Sequence, residues 1–122
     1  MTIHNNFIDT LNILDGIITY NDFDIDENIS FEKQKYSFKQ DILQIMFGDR
    51  FLLDLGWYPE MNPSGYFVVR VILDYDWQEP VAKIKCRTLK KLKKAIEKAA
   101  KIIDEERQVK DAKVGLTQTI GG

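Results

Sequence analysis

Residues 56–67 read GWYPEMNPSGYF, which places four aromatics, two prolines and two glycines in twelve positions. The stretch is either a site that displays Trp57 and Tyr58 or a turn that joins two strands, and its flanks decide between them. Before it, residues 50–58 alternate: Phe51, Leu53, Leu55 and Trp57 share one face, and Leu52, Asp54 and Gly56 the other. After it, Phe67, Val69, Val71 and Leu73 share a face, opposite Tyr66, Val68, Arg70 and Ile72. Pro59 cannot donate to a ladder and stops the first strand. Asn62-Pro63-Ser64-Gly65 has Pro second and Gly fourth, as a type I turn prefers. The stretch is therefore a hairpin connection whose aromatics brace two strands. Trp57 falls on the core face, and a contact role within the stretch falls to its tip, residues 60–64.

Two further segments extend this hairpin. Residues 42–47 form an apolar run of β character, and Gly48-Asp49 is a tight-turn signal before the next strand. Residues 81–86 place Ala82, Ile84 and Cys86 opposite Val81, Lys83 and Lys85. The connections are short, so neighbouring strands are predicted to pair antiparallel as a meander. A helix then begins at Thr88, a good N-cap. Leu89, Leu92, Ile96, Ala99 and Ile103 recur at helical spacing, and Lys90, Lys91, Lys93, Lys94, Lys98 and Lys101 fill other positions. The period predicts about five turns, an end near Arg107, and packing on one face of the sheet. Residues 108–122 lose the period and read as a flexible C-terminal tail, in which residues 114–120 have the option of a short strand.

The N-terminal part is less regular. Phe7, Leu11, Leu14 and Ile18 make an apolar stripe, which predicts a short helix over residues 5–14 with Gly16 as its end. Asp22, Asp24 and Asp26 alternate with Phe23 and Ile25, which suits an edge strand or extended loop. The expected fold class is α+β: an antiparallel meander of about four to five strands, a short N-terminal helix, and a long C-terminal amphipathic helix packed on one face. The whole makes a single domain over residues 1–107.

Composition narrows the function classes. The chain has 122 residues, 44% hydrophobic and 30% charged, in the range of globular domains. No apolar run approaches the ~18 residues of a membrane span, and the N-terminus has no signal-peptide pattern. One cysteine, Cys86, and one histidine, His4, leave no internal disulfide and almost nothing for zinc. A reducing cytoplasm is the expected compartment. An EF-hand loop from Asp22 would need Gly and Glu where Glu27 and Lys33 stand, so no metal and no cofactor is expected. The sequence carries no GxSxG, HExxH, Walker or GxGxxG pattern, so the chain is expected not to be an enzyme.

Charge is polarised along the chain. Residues 1–32 carry seven acids and no Lys or Arg, while residues 83–113 carry twelve basic residues and five acids. The lysine-rich helix is the basis of an alternative reading, a small nucleic-acid-binding or regulatory protein. It has no aromatic for stacking and no Asn or Gln before Gln108 to read bases.

The run FLLDLGWYPEMNPSGYFVVRVILDYDWQEPVAKIKCRTLKKLKKAI, with its Gly56-Trp57-Tyr58-Pro59, Asp74-x-Asp76-Trp77-x-x-Pro80 and Cys86-Arg87-Thr88-Leu89 segments, resembles bacterial immunity proteins. Those are the antidotes encoded beside polymorphic toxins, including contact-dependent growth-inhibition systems. The resemblance covers residues 38–103. It implies a protein that binds and neutralises a cognate toxin without catalysis. It also implies that a nuclease with a basic cleft is a fitting partner. An acidic surface would then supply steering and complementarity. The candidates are Asp22, Asp24, Asp26, Glu27 and Glu32 in one segment, and Asp74, Asp76, Trp77 and Glu79 in another.

Overall fold

The computed structural model describes residues 7–121, with side chains through residue 109. Five antiparallel strands lie in sequence order, β1 (Ile17–Asn21), β2 (Leu43–Phe47), β3 (Phe51–Tyr58), β4 (Tyr66–Leu73) and β5 (Ala82–Cys86), followed by α1 (Leu89–Gly121). The registers explain why the alternation could be read directly. Trp57 pairs with Phe67, Leu55 with Val69, Leu53 with Val71 and Phe51 with Leu73, so the four large apolar residues of each strand share one face. That face carries α1, whose Leu92, Ala95, Ile96, Ala99, Ala100 and Ile103 are all buried in the same core. Each fully buried Leu or Ile contributes about 1.5–3 kcal/mol relative to exposure, which holds the helix on the sheet. Thr88 caps the helix as its sequence position predicts: its Oγ1 accepts the Lys91 N–H at 3.1 Å.

The opening stretch is a hairpin connection. The Gly65 N–H donates to the Asn62 carbonyl at 2.9 Å, closing the turn. Trp57 is fully buried, stacked on Phe38 with ring centroids 4.1 Å apart and edge-on to Phe67 at 4.8 Å. Its indole N–H donates back to the Asn62 carbonyl at 2.7 Å, so the buried polar atom is satisfied by the turn itself. Arg87 donates to the Pro63 and Gly65 carbonyls and lies over the Phe31 and Trp57 rings, tying the connection to the approach of α1.

Three expectations differ from the structure. Of the helix expected over residues 5–14, residues 5 and 6 lie outside the described residues, and residues 7–14 hold a single 3-10 turn, Ile8–Thr10. Its stripe is still used, because Phe7, Ile8 and Leu11 pack against the core. The backbone partners a longer helix would supply come from α1 instead. Glu97 accepts the Asn12 N–H at 2.8 Å, and Lys93 donates to the Thr10 carbonyl at 2.6 Å. The edge strand lies at Ile17–Asn21 and residues 22–26 form a loop, because β-branched Ile17, Ile18 and Thr19 with Tyr20 suit a pleated surface. Finally, α1 extends to Gly121, past the expected end near Arg107, and takes in the segment that had the option of a strand. Among the helix residues whose side chains are described, through residue 109, the last buried one is Ile103.

A candidate protein-binding surface

The strand directions decide how the two acidic segments relate. β1 ends at Asn21 in register with Leu43, and Leu43 with Leu55, so residues 22–32 leave the sheet at the end where β2 begins. β4 ends at Leu73 in register with Phe51, so residues 74–80 leave it at the opposite end. The nine candidate residues therefore form two separate surfaces and not one acidic patch.

Within the first surface most acids have local work. Asp22 pairs with Lys39 at 2.5 Å, and this hydrogen bond is the main reason the Lys39 ammonium is held above its ordinary pKa. Asp26 Oδ1 accepts the Asn28 N–H, while the Gln34 amide clamps the Asp26 backbone from both sides. Glu32 lies 3.8 Å from Lys35 on an exposed turn, a contact of small energetic value. Asp24 and Glu27 are exposed.

The second surface is built differently. Leu73 to Asp76 form a tight turn in which the Asp76 N–H donates to the Leu73 carbonyl at 3.1 Å. Asp74 and Tyr75 both have left-handed backbones, with φ of 52° and 60°. Such a pair matches the twist of a hairpin turn, but Gly or Asn is the usual occupant, and a bulky Tyr there stores strain. Two interactions hold the strained turn. Arg50 donates twice to the Asp74 carboxylate, at 2.9 and 2.7 Å, and the Asp74 N–H donates to the Arg50 carbonyl at 2.9 Å. Tyr75 and Trp77 emerge beside this anchor 64% and 47% exposed, with Asp76 and Glu79 next to them. The Glu79 N–H donates to Asp76 Oδ1 at 3.3 Å. The outcome is two aromatic side chains and several carboxylates displayed on a braced loop. The sequence marked Trp77 and the acids, but it had no signal for the turn, since neither Asp74 nor Tyr75 is a glycine.

The sheet face opposite α1 carries a row of polar side chains that crosses all five strands: Tyr20, Gln44, Asp54, Arg70 and Lys83, each in register with the next. Asp54 is 2% exposed and is the buried charged residue among those described. Burial is the largest influence on its carboxyl and raises its pKa, with Asp41 adding to the rise. The hydrogen bond from Gln44 at 3.1 Å and the Arg70 charge oppose it. The Arg70 guanidinium sits 4.7 Å over the Tyr58 ring. Because the folded state raises this pKa, folding favours the protonated acid. The ionised carboxylate is a cost at neutral pH that is relieved as pH falls through the folded pKa. Asp54→Asn is therefore expected to increase stability at pH 7, since the Asn oxygen still accepts from Gln44. The gain should shrink in acid, where the wild-type acid is protonated. Urea titrations at both pH values check this, and a loss of stability at pH 7 would contradict it.

Two further groups bear on chemistry. Burial pushes the Cys86 thiol up to about 11, so it stays protonated near neutrality and is a poor nucleophile. His4 lies outside the described residues. Among the described residues, no three His, Cys, Asp or Glu side chains converge as metal ligands, and no helix is long and apolar enough to cross a membrane.

The class these features define is an α+β domain, with a five-stranded antiparallel sheet and one long helix on a single face. No family model, curated protein or solved structure matches the chain.

Proposed function

We propose that this chain is a non-catalytic binding protein of the immunity type, which captures a basic protein partner such as a toxin nuclease in the cytoplasm. The observation that carries the reading is the braced 74–79 loop. Large aromatics at the surface are common interface anchors. A loop already held in one conformation by Arg50 loses little freedom on binding. Acids around the aromatics suit a partner whose surface is positive, as a nucleic-acid-cleaving cleft is. Burial of the Cys86 thiol, which raises its pKa, disfavours thiolate chemistry at that residue. The exposed Lys90, Lys91, Lys94, Lys98 and Lys101 on α1 are the feature that the alternative, a nucleic-acid-binding or regulatory protein, would use.

The test is co-expression with the product of the neighbouring reading frame, scored by rescue of growth and by co-purification. Asp76→Lys with Glu79→Lys leaves the Arg50–Asp74 brace intact. It is expected to weaken the complex at least about tenfold and to flatten its salt dependence. Trp77→Ala is expected to weaken it by a further hot-spot-sized increment of about 2 kcal/mol or more. Reversal of Asp24 and Glu27 in the other segment tests whether the partner reaches both ends of the sheet. No rescue and no complex would reject the reading for that pair, and salt-sensitive binding to unrelated DNA or RNA would favour the alternative.

A further inference from the structure

The geometry points to the outer edge of β1 as a docking edge for an extended, basic strand of a protein partner; this rests on the reading of the chain as a protein-binding module. Among the described residues β1 pairs only with β2, so one row of its backbone N–H and C=O groups faces outward. The two edges of the sheet are guarded unequally. β5 carries exposed Lys83 and Lys85, the kind of charge that keeps an edge from pairing. β1 reads Ile-Ile-Thr-Tyr-Asn, with no charge and no proline, and all five residues are exposed. Four exposed apolar side chains also fall within seven positions here, Leu14, Ile17, Ile18 and Tyr20, and Ile17 is 69% exposed. A β-bulge between Ile18 and Tyr20 bends the strand, which limits pairing to a short segment able to follow the bend.

Charge selects the occupant. Residues 7–32 contain no Lys or Arg. Asp15 and Asp22, which flank the strand, take cations from elsewhere, Arg107 at 2.6 Å and Lys39 at 2.5 Å. Asp9, Asp24 and Glu27 add exposed carboxylates to the segments on either side of the strand. A second copy paired on this edge would set two such acidic ends together, whereas a strand bearing Lys or Arg beside its apolar residues complements them. Main-chain hydrogen bonds would give the affinity of such a complex, and Ile17 and Tyr20, which share the face of Met46 and Gln44, would give its side-chain selectivity.

Two probes test the edge. The first is a synthetic peptide of about ten residues, a typical strand length at the upper end, alternating Val or Thr with Lys, with a Glu-for-Lys counterpart. In an amide NMR titration the Lys peptide is expected to shift the resonances of Ile17–Asn21, and the Glu peptide to leave them unchanged. The double variant Ile17→Lys, Tyr20→Lys is expected to lower affinity at least about tenfold, and Ile17→Asp, Tyr20→Asp to lower it less. Both pairs are exposed, and an unchanged melting midpoint confirms that they fold. Absence of shifts at Ile17–Asn21, equal binding of the two peptides, or protection of those amides by self-association at rising protein concentration would each overturn the proposal. The second probe is the neighbouring reading-frame product. A complex that forms but leaves Ile17–Asn21 exchanging freely, and tolerates the Lys pair, overturns the docking edge and leaves the proposed function standing. Lys-peptide binding without that complex supports the edge and rejects the function.

Discussion

Gly56→Ala is expected to destabilise the protein by about 3 kcal/mol, the upper end of overpacking costs, because the added methyl would enter another stretch of main chain. A Cβ at Gly56 would overlap the Gln40 carbonyl oxygen and lie 2.9 Å from its carbon. Backbone cannot rotate away as a side-chain tip can. The close approach has a visible cause. Before β2 begins, the chain is tied to β3 at two points, Ile42 N–H to the Leu55 carbonyl at 3.0 Å and Trp57 N–H to the Lys39 carbonyl at 2.8 Å. Residues 39–42 must therefore cross over Gly56, and Tyr58 brings its hydroxyl to the same Gln40 carbonyl at 3.5 Å. Relieving the clash would break one of those two bonds. Chemical denaturation of Gly56→Ala measures the effect. A loss under about 1 kcal/mol would show that the crossing segment gives way easily, and hydrogen exchange at Trp57 would then reveal the broken tie.

The position of Gly56 also shows where sequence reading stops. Its role depends on residue 40, sixteen positions away, and on a crossing that no local pattern announces. Strands β2 to β5 were legible because their alternation is regular and their turns are short, so local pattern and pairing agree. The start of α1 was legible because Thr88 offers a cap just before the apolar period. β1 was not, because Ile18 fits the helical spacing set by Phe7, Leu11 and Leu14, and a run this short satisfies either period. What tips the balance is tertiary: Gly16 packs where a Cβ would come within 2.7 Å of Ile45 and Phe47, and β2 offers an unpaired edge. The candidate surface divides in the same way. The acids and Trp77 stand out in the sequence, but the partners that absorb Asp22 and Asp74 come from Lys39 and Arg50, seventeen and twenty-four positions away. Only the assembled fold distinguishes carboxylates that brace a loop from carboxylates available to a partner.

The two tryptophans should separate stability from recognition. Trp57→Ala is expected to cost about 3–5 kcal/mol, the range for removing a buried large aromatic, and so to take up much of the stability of a domain this size. The loss has several sources. The ring fills the centre of a cluster in which Phe38 stacks at 4.1 Å and Phe67 and Phe31 meet it edge-on at 4.8 and 5.4 Å. Such pairs are worth about 0.5–1.5 kcal/mol beyond the area they bury. Its N–H is also the partner of the Asn62 carbonyl, so the substitution loosens the β3–β4 connection as well as the core. Trp57→Phe keeps most of the volume but not that hydrogen bond, and should fall between the wild type and Trp57→Ala. Trp77 lies on the 74–79 loop, where its 47% exposure leaves much less to lose on truncation. Trp77→Ala should keep a melting midpoint near that of the wild type while weakening the proposed complex. Thermal melts beside binding titrations of the two alanine variants decide the matter. If Trp77→Ala destabilises the fold as much as Trp57→Ala, its ring is a core element and not an anchor. If it changes neither stability nor binding, the 74–79 loop is not the recognition surface.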